Sequence, residues 1–368
     1  MIISATFEML ILCFITIFIS AITYYFIERP FRNGGRTRIS FFVFIALGLM
    51  AITIFSCYAI KTDGAPKRLG DMQHLYAGIN AMVYFKQNGK QCYRRGVDSP
   101  CKLDPKKGSK TVVVIGDSHS AVLQKSLYGM AEQKGLGFIS LATVNCSPIR
   151  GLTTEKFEKS VWLKGKTCKR NNSPEKVFAI IDELPPSIIV FSSRLPLYLN
   201  PDGLRFDNNE GGVESGAPFR LASESSYSNE DVVIKELQGI IGKGHTLVLV
   251  YPIPEVGWSV PLKLKSKLGK NSLLWRERLK NSPITTSYSV YKVRANKARQ
   301  VLDNVAVGND NLIRIYPDRV LCSEKTLRCN THSETSLYYS DDDHLSVHGA
   351  KLVVDEVERE LSRRGLLN

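Results

Sequence analysis

Several common signals are missing from this 368-residue chain. It has no Cys-x-x-Cys pair and no cysteine–histidine spacing of the kind that holds zinc. It has no nucleic-acid reader motif, and its basic residues are scattered along the chain instead of lying along one helix. It also has no internal repeat. We therefore expect no metal site, no nucleic-acid partner and no repeat architecture.

Acidic residues are also in deficit: 35 Asp and Glu stand against 49 Lys and Arg, for a net charge of +14. Such a charge attracts anionic surfaces. An anionic membrane face or an acidic polysaccharide fits this charge as well as nucleic acid does, so the charge alone decides little.

The first 60 residues contain two long apolar runs, Phe7–Ile27 and Ile39–Ile60, each long enough to span a bilayer. Between them, Glu28–Arg38 carries four arginines, so the positive-inside rule places that loop in the cytoplasm and the rest of the chain outside. The pattern predicts two transmembrane helices over 7–27 and 39–60. A signal peptide followed by a core helix is the alternative, but the first run lacks a basic leading segment.

Six cysteines follow the apolar runs, and an even number favours disulfides in an oxidising compartment. Their order favours three local bridges, although six cysteines allow fifteen connectivities. The predicted pairs are Cys92–Cys101, Cys146–Cys168 and Cys322–Cys329.

The remaining chain divides into a linker and extension, 61–110, and a catalytic domain, 111–368. Strands are predicted over 111–116, 137–142, 187–192, 246–251 and 311–316. Helices are predicted near 119–134, 173–183, 229–242, 288–304 and 346–365. This alternation predicts an α/β fold, a three-layer sandwich around a five-stranded parallel sheet. Two insertions, 200–230 and 254–287, are candidates for lids over a substrate.

The strand that begins at Thr111 stops on Gly116-Asp117-Ser118. A sharp turn after a buried strand exposes the next hydroxyl at the carboxyl edge of the sheet, where α/β enzymes place nucleophiles. Ser118 is therefore the candidate nucleophile. The other interpretation is that Asp-Ser only caps the following helix, and the two roles are compatible.

Near the other end, Asp341 stands three residues before His344. We predict that His344 is the base for Ser118 and that Asp341 orients its ring, with Asp343 as the alternative carboxylate. His348 falls in the first turn of the last helix, where Ser346 is the expected cap. We interpret His348 as structural.

Gly116-Asp-Ser118, with Asp341-x-x-His344 and Gly349, resembles the SGNH (GDSL-like) hydrolase family. The segment Tyr24–Arg32 resembles the end of a late helix in acyltransferase family 3 membrane proteins. Members of that family that carry a periplasmic SGNH domain O-acylate cell-surface polysaccharides. This chain resembles the C-terminal part of such a fusion.

The resemblance implies Ser118 as nucleophile, His344 as base and Asp341 as its orienter. It also implies an oxyanion hole made by the nucleophile's N–H, a glycine N–H and an asparagine. This chain has Phe191-Ser-Ser-Arg194 and Thr143-Val-Asn-Cys-Ser-Pro148 at the corresponding places. The candidates are then the N–H of Ser118, the Arg194 side chain and a backbone N–H near Cys146.

The implied function is an O-acyltransferase, in the simplest case an O-acetyltransferase, that acts on O-antigen or a lipid-linked glycan from the bacterial inner membrane, with its catalytic domain in the periplasm. The SGNH domain would bind no cofactor. Acetyl-CoA would be the ultimate donor, through the membrane domain. The resemblance implies a truncated or split enzyme: either a partner supplies the missing membrane helices, or the chain is a remnant with only esterase-like chemistry. A tethered carbohydrate acetyl-esterase uses the same residues with water as acceptor, and a non-catalytic glycan-binding module is the third hypothesis.

Overall fold

The structure is a computed structural model in which two compact units, Met1–Gly70 and Asp71–Asn368, are distinguished. The second unit contains both sequence motifs, Gly116-Asp117-Ser118 and Asp341-x-x-His344. The structure describes residues 2–29, 38–61, 75, 85–144, 146–164, 173–199, 207–208, 212–213, 219–268, 275–306 and 308–367.

The first unit contains helix α1 (Ile2–Thr23), which continues as a π-helical turn over Tyr24–Glu28, and helix α2 (Arg38–Lys61). Both apolar runs are thus helical. Within the described residues, however, no helix combines the length and hydropathy that crossing a membrane requires. The predicted pair of transmembrane spans is not supported. A run can form a helix without meeting the separate condition on length and hydropathy that a membrane span must meet.

The second unit alternates strands and helices. Its strands are β1 (Lys86–Gln87), β2 (Lys90–Gln91), β3 (Lys102–Leu103), β4 (Thr111–Gly116), β5 (Gly137–Ser140), β6 (Leu152–Glu158), β7 (Val161–Lys164), β8 (Ile188–Ser192), β9 (Asp207–Asn208), β10 (Gly212–Val213), β11 (Phe219–Ser223), β12 (Thr246–Val250), β13 (Thr285–Ser287), β14 (Leu312–Ile315), β15 (Cys322–Ser323) and β16 (Arg328–Asn330). Its helices are α3 (Ser118–Ala121), α4 (Gln124–Lys134), α5 (Pro174–Glu183), α6 (Leu195–Tyr198), α7 (Asn229–Gly242), α8 (Val260–Leu268), α9 (Trp275–Asn281), α10 (Tyr288–Asp303), α11 (Pro317–Leu321) and α12 (Val347–Arg363), with a 3₁₀ turn over Cys92–Arg94.

The central sheet has the strand order β14-β12-β8-β4-β5-β3. The five predicted strands pair in parallel. A sixth, β3, pairs antiparallel with β5, so the sheet is mixed and the prediction of five parallel strands was incomplete. Two residues are too few to show a strand's alternating pattern, which is why β3 left no signal in the sequence.

The sheet is buried on both faces, which explains its unbroken apolar strands. Along β4, Val112 and Val114 pack with α4 and α12 on one face, while Val113 and Ile115 pack with α5, α7 and α10 on the other. The three predicted layers are therefore present. All strands with parallel pairing end at one edge, and the loops that leave that edge build the site.

Serine caps place the helices around the sheet, because a serine oxygen accepts a backbone N–H that the first turn leaves unpaired. Ser173, Ser228, Ser287 and Ser346 cap α5, α7, α10 and α12 in this way. These local signals explain why the predicted helices agree with the structure to within a few residues.

A second sheet, absent from the prediction, joins β6 to β7 and to β11, all antiparallel. Strand β11 comes from the predicted insertion 200–230, so the end of that insertion is part of the fold. Within the insertion 254–287 lie α8, α9 and β13, and β13 pairs with β16. A lid role for either insertion stays a prediction.

Two of the three predicted disulfides are confirmed, Cys92–Cys101 and Cys322–Cys329. Cys146 is buried, but Cys168 lies outside the described residues, so the bridge between them stays a prediction. Cys13 and Cys57, in the two apolar helices, are free thiols.

Candidate active site

The turn after β4 depends on a glycine. Gly116 has a φ of +127°, and a Cβ at this position would lie 1.9 Å from the carbonyl oxygen of Ser192, its partner on β8. Only glycine tolerates both the left-handed backbone and this close approach. The chain can therefore turn sharply and place Asp117 and Ser118 at the carboxyl edge of the sheet.

Hydrogen bonds to the Asp117 side chain fix this turn. Its buried carboxylate caps α3 by accepting the His119 N–H at 2.8 Å. The other oxygen accepts the Ser193 hydroxyl at 2.7 Å and the Arg194 N–H at 2.9 Å, which ties the turns after β4 and β8 together. Asp117 is thus the cap, and Ser118 is the first residue of the helix. Because a first-turn N–H has no acceptor within its helix, the helix leaves the Ser118 N–H unused.

Ser118 meets the histidine from the far end of the chain. The distance from Ser118 Oγ to His344 Nε2 is 2.8 Å, although 226 residues separate them. His344 lies on a tight loop closed by a 2.8 Å hydrogen bond from the Ser340 N–H to the His344 carbonyl. The loop ends at Ser346, whose hydroxyl oxygen accepts the N–H groups of His348 and Gly349. A serine hydroxyl held against an imidazole nitrogen is the arrangement that activates a nucleophile.

Two carboxylates lie at the other nitrogen of the imidazole. Asp341 Oδ2 and Asp343 Oδ1 are each 2.9 Å from His344 Nδ1. Asp341 also accepts the backbone N–H groups of Asp343, at 3.1 Å, and His344, at 2.7 Å. The two differ in exposure: 44% of the Asp341 side chain is exposed, against 6% for Asp343. The predicted orienter and its alternative therefore both contact the ring.

The two carboxylates stabilise the imidazolium form of His344 relative to the neutral ring. Burial alone would lower the pKa of His344, but the Asp343 and Asp341 carboxylates raise that pKa well above its usual value. Burial also raises the pKa of Asp342 to about 6, with the neighbouring carboxylates of Asp343 and Asp341 adding to the effect. Burial, followed by the Asp117 charge, raises the pKa of Tyr198 beneath the site well above its usual value.

Arg194 lies in a buried chain of ion pairs. Its Nε is 3.0 Å from Asp343 Oδ2, and its Nη2 is 2.8 Å from Glu255 Oε2. Glu255 also pairs with Arg294 Nη2, at 3.0 Å. The Arg194 guanidinium thus contacts carboxylates, and its predicted oxyanion role stays a prediction.

Residues 85–359, about three quarters of the chain, match the family model described as "SGNH domain (fused to AT3 domains)". The match contains both motif segments and every side chain placed around Ser118. The chain belongs to the SGNH domain family. Its α/β fold with a mixed sheet is that of an acyl-handling SGNH enzyme. No curated protein matches the chain.

Three solved structures are similar to parts of this SGNH chain. The periplasmic domain of a lipopolysaccharide acetyltransferase from Salmonella ser. Paratyphi A is 13% identical, with a TM-score of 0.39 over 70% of this chain and 85% of that one. A GDSL-like lipase from Bacteroides thetaiotaomicron is 11% identical, with a TM-score of 0.33 over 71% and 92%. A putative acylhydrolase from Bacteroides fragilis is 12% identical, with a TM-score of 0.31 over 72% and 92%.

The loop that carries the predicted replacement for the glycine contacts the turn after β4. Thr143, in the loop after β5, donates its N–H to the Gly116 carbonyl at 2.8 Å, which brings that loop to the nucleophile turn. Cys146 follows in the same loop and is buried, while its neighbour Asn145 lies outside the described residues. A backbone N–H near Cys146 stays the predicted second oxyanion donor.

Sequence reasoning missed three contributors. His119 is buried with Nε2 3.2 Å from Asp343 Oδ2, and its ring lies edge-on to His344 with centroids 5.4 Å apart. In the sequence, only its position directly after Ser118 indicated that His119 would lie in the site. Glu255 and Arg294 had no signal, because 61 and 39 residues separate them from their ion-pair partners Arg194 and Glu255.

Two groups of acidic and histidine side chains have the spacing of cation ligands. Ligand atoms of His119, Asp343 and His344 lie within 4.8 Å of one another, as do those of Asp341, Asp342 and Asp343. In the first set, Ser118 and Arg194 already contact these side chains, and a metal on His344 would compete with the Ser118 hydroxyl.

Proposed function

We propose that this SGNH domain transfers an acyl group, in the simplest case acetyl, to a hydroxyl of a cell-surface polysaccharide such as O-antigen. Ser118 is the nucleophile, His344 the general base and Asp341 the residue that orients its ring. The observation that carries the proposal is the 2.8 Å contact between Ser118 Oγ and His344 Nε2 at the carboxyl edge of the sheet.

Transfer proceeds in two steps. In the first, His344 Nε2 takes the Ser118 proton while Oγ attacks the acyl carbonyl. The tetrahedral intermediate expels the donor's leaving group, which takes the proton from His344, and acyl-Ser118 remains. In the second, His344 takes the proton of the sugar hydroxyl, and the sugar oxygen attacks the acyl carbon. The bond to Oγ breaks, and Ser118 recovers a proton from His344.

The negative charge on the intermediate needs donors close to Ser118. The Ser118 N–H is one, since it stands at the start of α3 with no acceptor inside the helix. A backbone N–H near Cys146 is the second candidate. The Arg194 N–H is already donated to Asp117, so Arg194 would act there only through its guanidinium.

The family and the disulfides support the proposed acceptor and donor. Two disulfides fit an oxidising compartment, which supports a periplasmic catalytic domain. The family's fusion to AT3 domains supports acetyl-CoA as the ultimate donor, with the acyl group delivered by an AT3 membrane domain. The net charge of +14 suits an acidic polysaccharide or a lipid-linked glycan as acceptor. None of these steps needs a metal.

A second candidate, a carbohydrate acetyl-esterase, is favoured by one observation. The His344 side chain is 18% exposed, so water reaches the base in the structure as it stands. Water in place of the sugar hydroxyl would hydrolyse acyl-Ser118. The physical difference between the two functions is the exclusion of water once the acceptor is bound.

The test uses the full chain. Acetyl release from p-nitrophenyl acetate is measured for the parent, for Ser118→Ala and for the control Ser362→Ala, which changes an exposed serine on α12. We expect Ser118→Ala to lose at least about 10²-fold in rate and the control to match the parent. Acetyl transfer to purified O-antigen, followed by mass spectrometry, then distinguishes transferase from esterase. Equal rates for the parent and Ser118→Ala would refute the serine mechanism.

A further inference from the structure

His344 has two carboxylates at Nδ1, yet a neutral imidazole that accepts the Ser118 proton at Nε2 has a single Nδ1 proton to share. The aligned hydrogen bond goes to Asp341 Oδ2 at 2.9 Å. Asp343 Oδ1, at the same distance, contacts the ring as an ion-pair partner. Asp341 therefore interacts with His344 through a hydrogen bond, and Asp343 interacts with it through charge.

Their surroundings explain the difference. Asp341 is the more exposed acid, so water screens its charge, and its other oxygen accepts two backbone N–H groups of the loop. Asp343 is buried, so its charge acts on His344 with little screening. One carboxylate is suited to fixing geometry, the other to supplying charge.

A buried carboxylate is costly unless it is paired. Asp343 Oδ2 has two partners, Arg194 Nε at 3.0 Å and His119 Nε2 at 3.2 Å. Arg194 is held in turn by Glu255, which also pairs with Arg294. This chain of alternating charges, drawn from segments far apart in sequence, keeps a charged Asp343 beside the base.

We propose that Asp343 is a positioning residue for the base: it supplies the buried charge that stabilises the His344 imidazolium, while Asp341 accepts the Nδ1–H bond and holds the loop. In turnover this role rests on the proposed function, because the imidazolium forms when His344 takes the Ser118 proton. Asp343 stays ionised throughout and takes no proton. The pairing itself is a property of the folded protein and can be measured without turnover.

The electrostatics of the surrounding groups agree with this assignment. Burial alone would raise the pKa of Asp343, but the charges of His344 and Arg194 hold it well below its usual value. Among the described residues, the charged and titratable groups that face the pair are Asp341 and Asp342 from its own loop, His119 from α3, Arg194 from the turn after β8, Tyr198 from α6 and Glu255 from the segment after β12.

The test follows the titration of His344 by NMR in the full chain with nitrogen-15 histidine, which gives one set of ring signals for each of six histidines. His344→Asn assigns the signal. We expect Asp343→Asn to lower the midpoint by about 1–3 pH units, the usual effect of losing an adjacent carboxylate. Asp341→Asn should lower it less, and Asp355→Asn, at an exposed acid on α12 paired with Lys351, should leave it unchanged.

Kinetics with p-nitrophenyl acetate give the second readout. For Asp343→Asn we expect the plateau kcat to fall by about 10²-fold or more, with KM nearly constant. A midpoint in Asp343→Asn equal to that of the parent, with a lowered one in Asp341→Asn, would overturn the proposal. If Asp343→Asn does not fold, Asp343→Glu decides, because it keeps the charge. Its midpoint should stay above that of Asp341→Asn, and a value at or below it would overturn the proposal.

The two proposals fail in different ways. A parent with a raised His344 midpoint that drops in Asp343→Asn, but with no acyl release, supports the role of Asp343 and contradicts the proposed function. If the parent releases acetyl through Ser118 but the His344 midpoint is the same in the parent and in Asp343→Asn, only the inference about Asp343 is contradicted.

Discussion

Gly116 and Ser192 lie opposite each other at the ends of neighbouring strands, so close that a Cβ on Gly116 would be 1.9 Å from the Ser192 carbonyl oxygen. Asp117 and Ser193 follow directly after the two strands and are hydrogen-bonded to each other. The approach of these two strand ends therefore sets where Ser118 stands. The geometry of the site therefore depends on the backbone contact between Gly116 and Ser192, and neither of these residues takes part in the proposed chemistry.

Gly116→Ala should destabilise the protein by about 2–5 kcal/mol, the combined cost of a left-handed backbone on an L-residue and of overpacking. The matched control is Gly129→Ala in α4, where nothing lies within 4 Å of the new Cβ. That change should stabilise the helix by up to about 1 kcal/mol. Urea unfolding of both variants gives the comparison. Equal stability for Gly116→Ala and the parent would contradict the tight approach.

Two roles of Arg194, a structural one in ion pairs and an oxyanion role in catalysis, can be distinguished by substitution. If its ion pairs are the main role, Arg194→Gln leaves the buried Glu255 and Asp343 short of a partner and should cost about 3 kcal/mol of unfolding free energy. The control Arg363→Gln removes an exposed pair with Glu360 and should change stability by less than about 0.5 kcal/mol.

Unfolding in urea and acetyl release are measured on the same samples of both arginine variants. An unchanged unfolding free energy with a large loss of kcat in Arg194→Gln would contradict the structural role. That result would instead favour the predicted oxyanion role of the Arg194 guanidinium.

Much of this architecture could be predicted because its signals are local. Unbroken apolar runs predicted the five parallel strands, and their alternation with helical segments predicted the α/β fold. The meeting of Ser118 and His344 followed from placing both motifs at one sheet edge. The pairing of β3 and the sheet of β6, β7 and β11 were not predictable, since short or half-exposed strands carry weak patterns.

The ion-pair chain lay beyond prediction for a different reason. Arg194, Glu255 and Arg294 come from three separate loops or helices, and nothing in their own segments indicates a partner. Only the packing of the sheet brings them together. The choice between Asp341 and Asp343 was open for the same reason, because exposure, which separates their roles, is a tertiary property.

Asp342 provides a test of the acidic loop. Burial and the neighbouring Asp343 and Asp341 charges raise its pKa from 3.8 to about 6. The unfolded chain then releases this proton at lower pH than the folded one, so the parent loses stability as pH rises from 3.8 to about 6. Asp342→Asn avoids the loss and should be more stable than the parent above that range by about 1–2 kcal/mol, after a discount for solvent screening.

Urea unfolding of parent and Asp342→Asn on both sides of the range measures this gain. Asp310→Asn, at an exposed acid, is the control and should follow the parent at every pH. A gain for Asp342→Asn that is the same at all pH values would show that the amide packs better, and would contradict the titration argument.

The pairing of His344 with its carboxylates should appear in the pH dependence of stability. The pKa of folded His344 lies well above its usual 6.5, so its contribution is fully present below pH 6.5 and is lost as pH rises through the folded value. The pKa of Asp343 lies well below 3.8, so the carboxylate stays charged across that window. His344→Asn should therefore cost more unfolding free energy at about pH 5.5 than at about pH 9.5, by about 1.4 kcal/mol for each pH unit between the folded and unfolded pKa values of His344. Urea unfolding at the two pH values measures the difference, and repeating it in an Asp343→Asn background should shrink it. A cost of His344→Asn that does not change with pH would mean that the carboxylates do not hold the imidazolium.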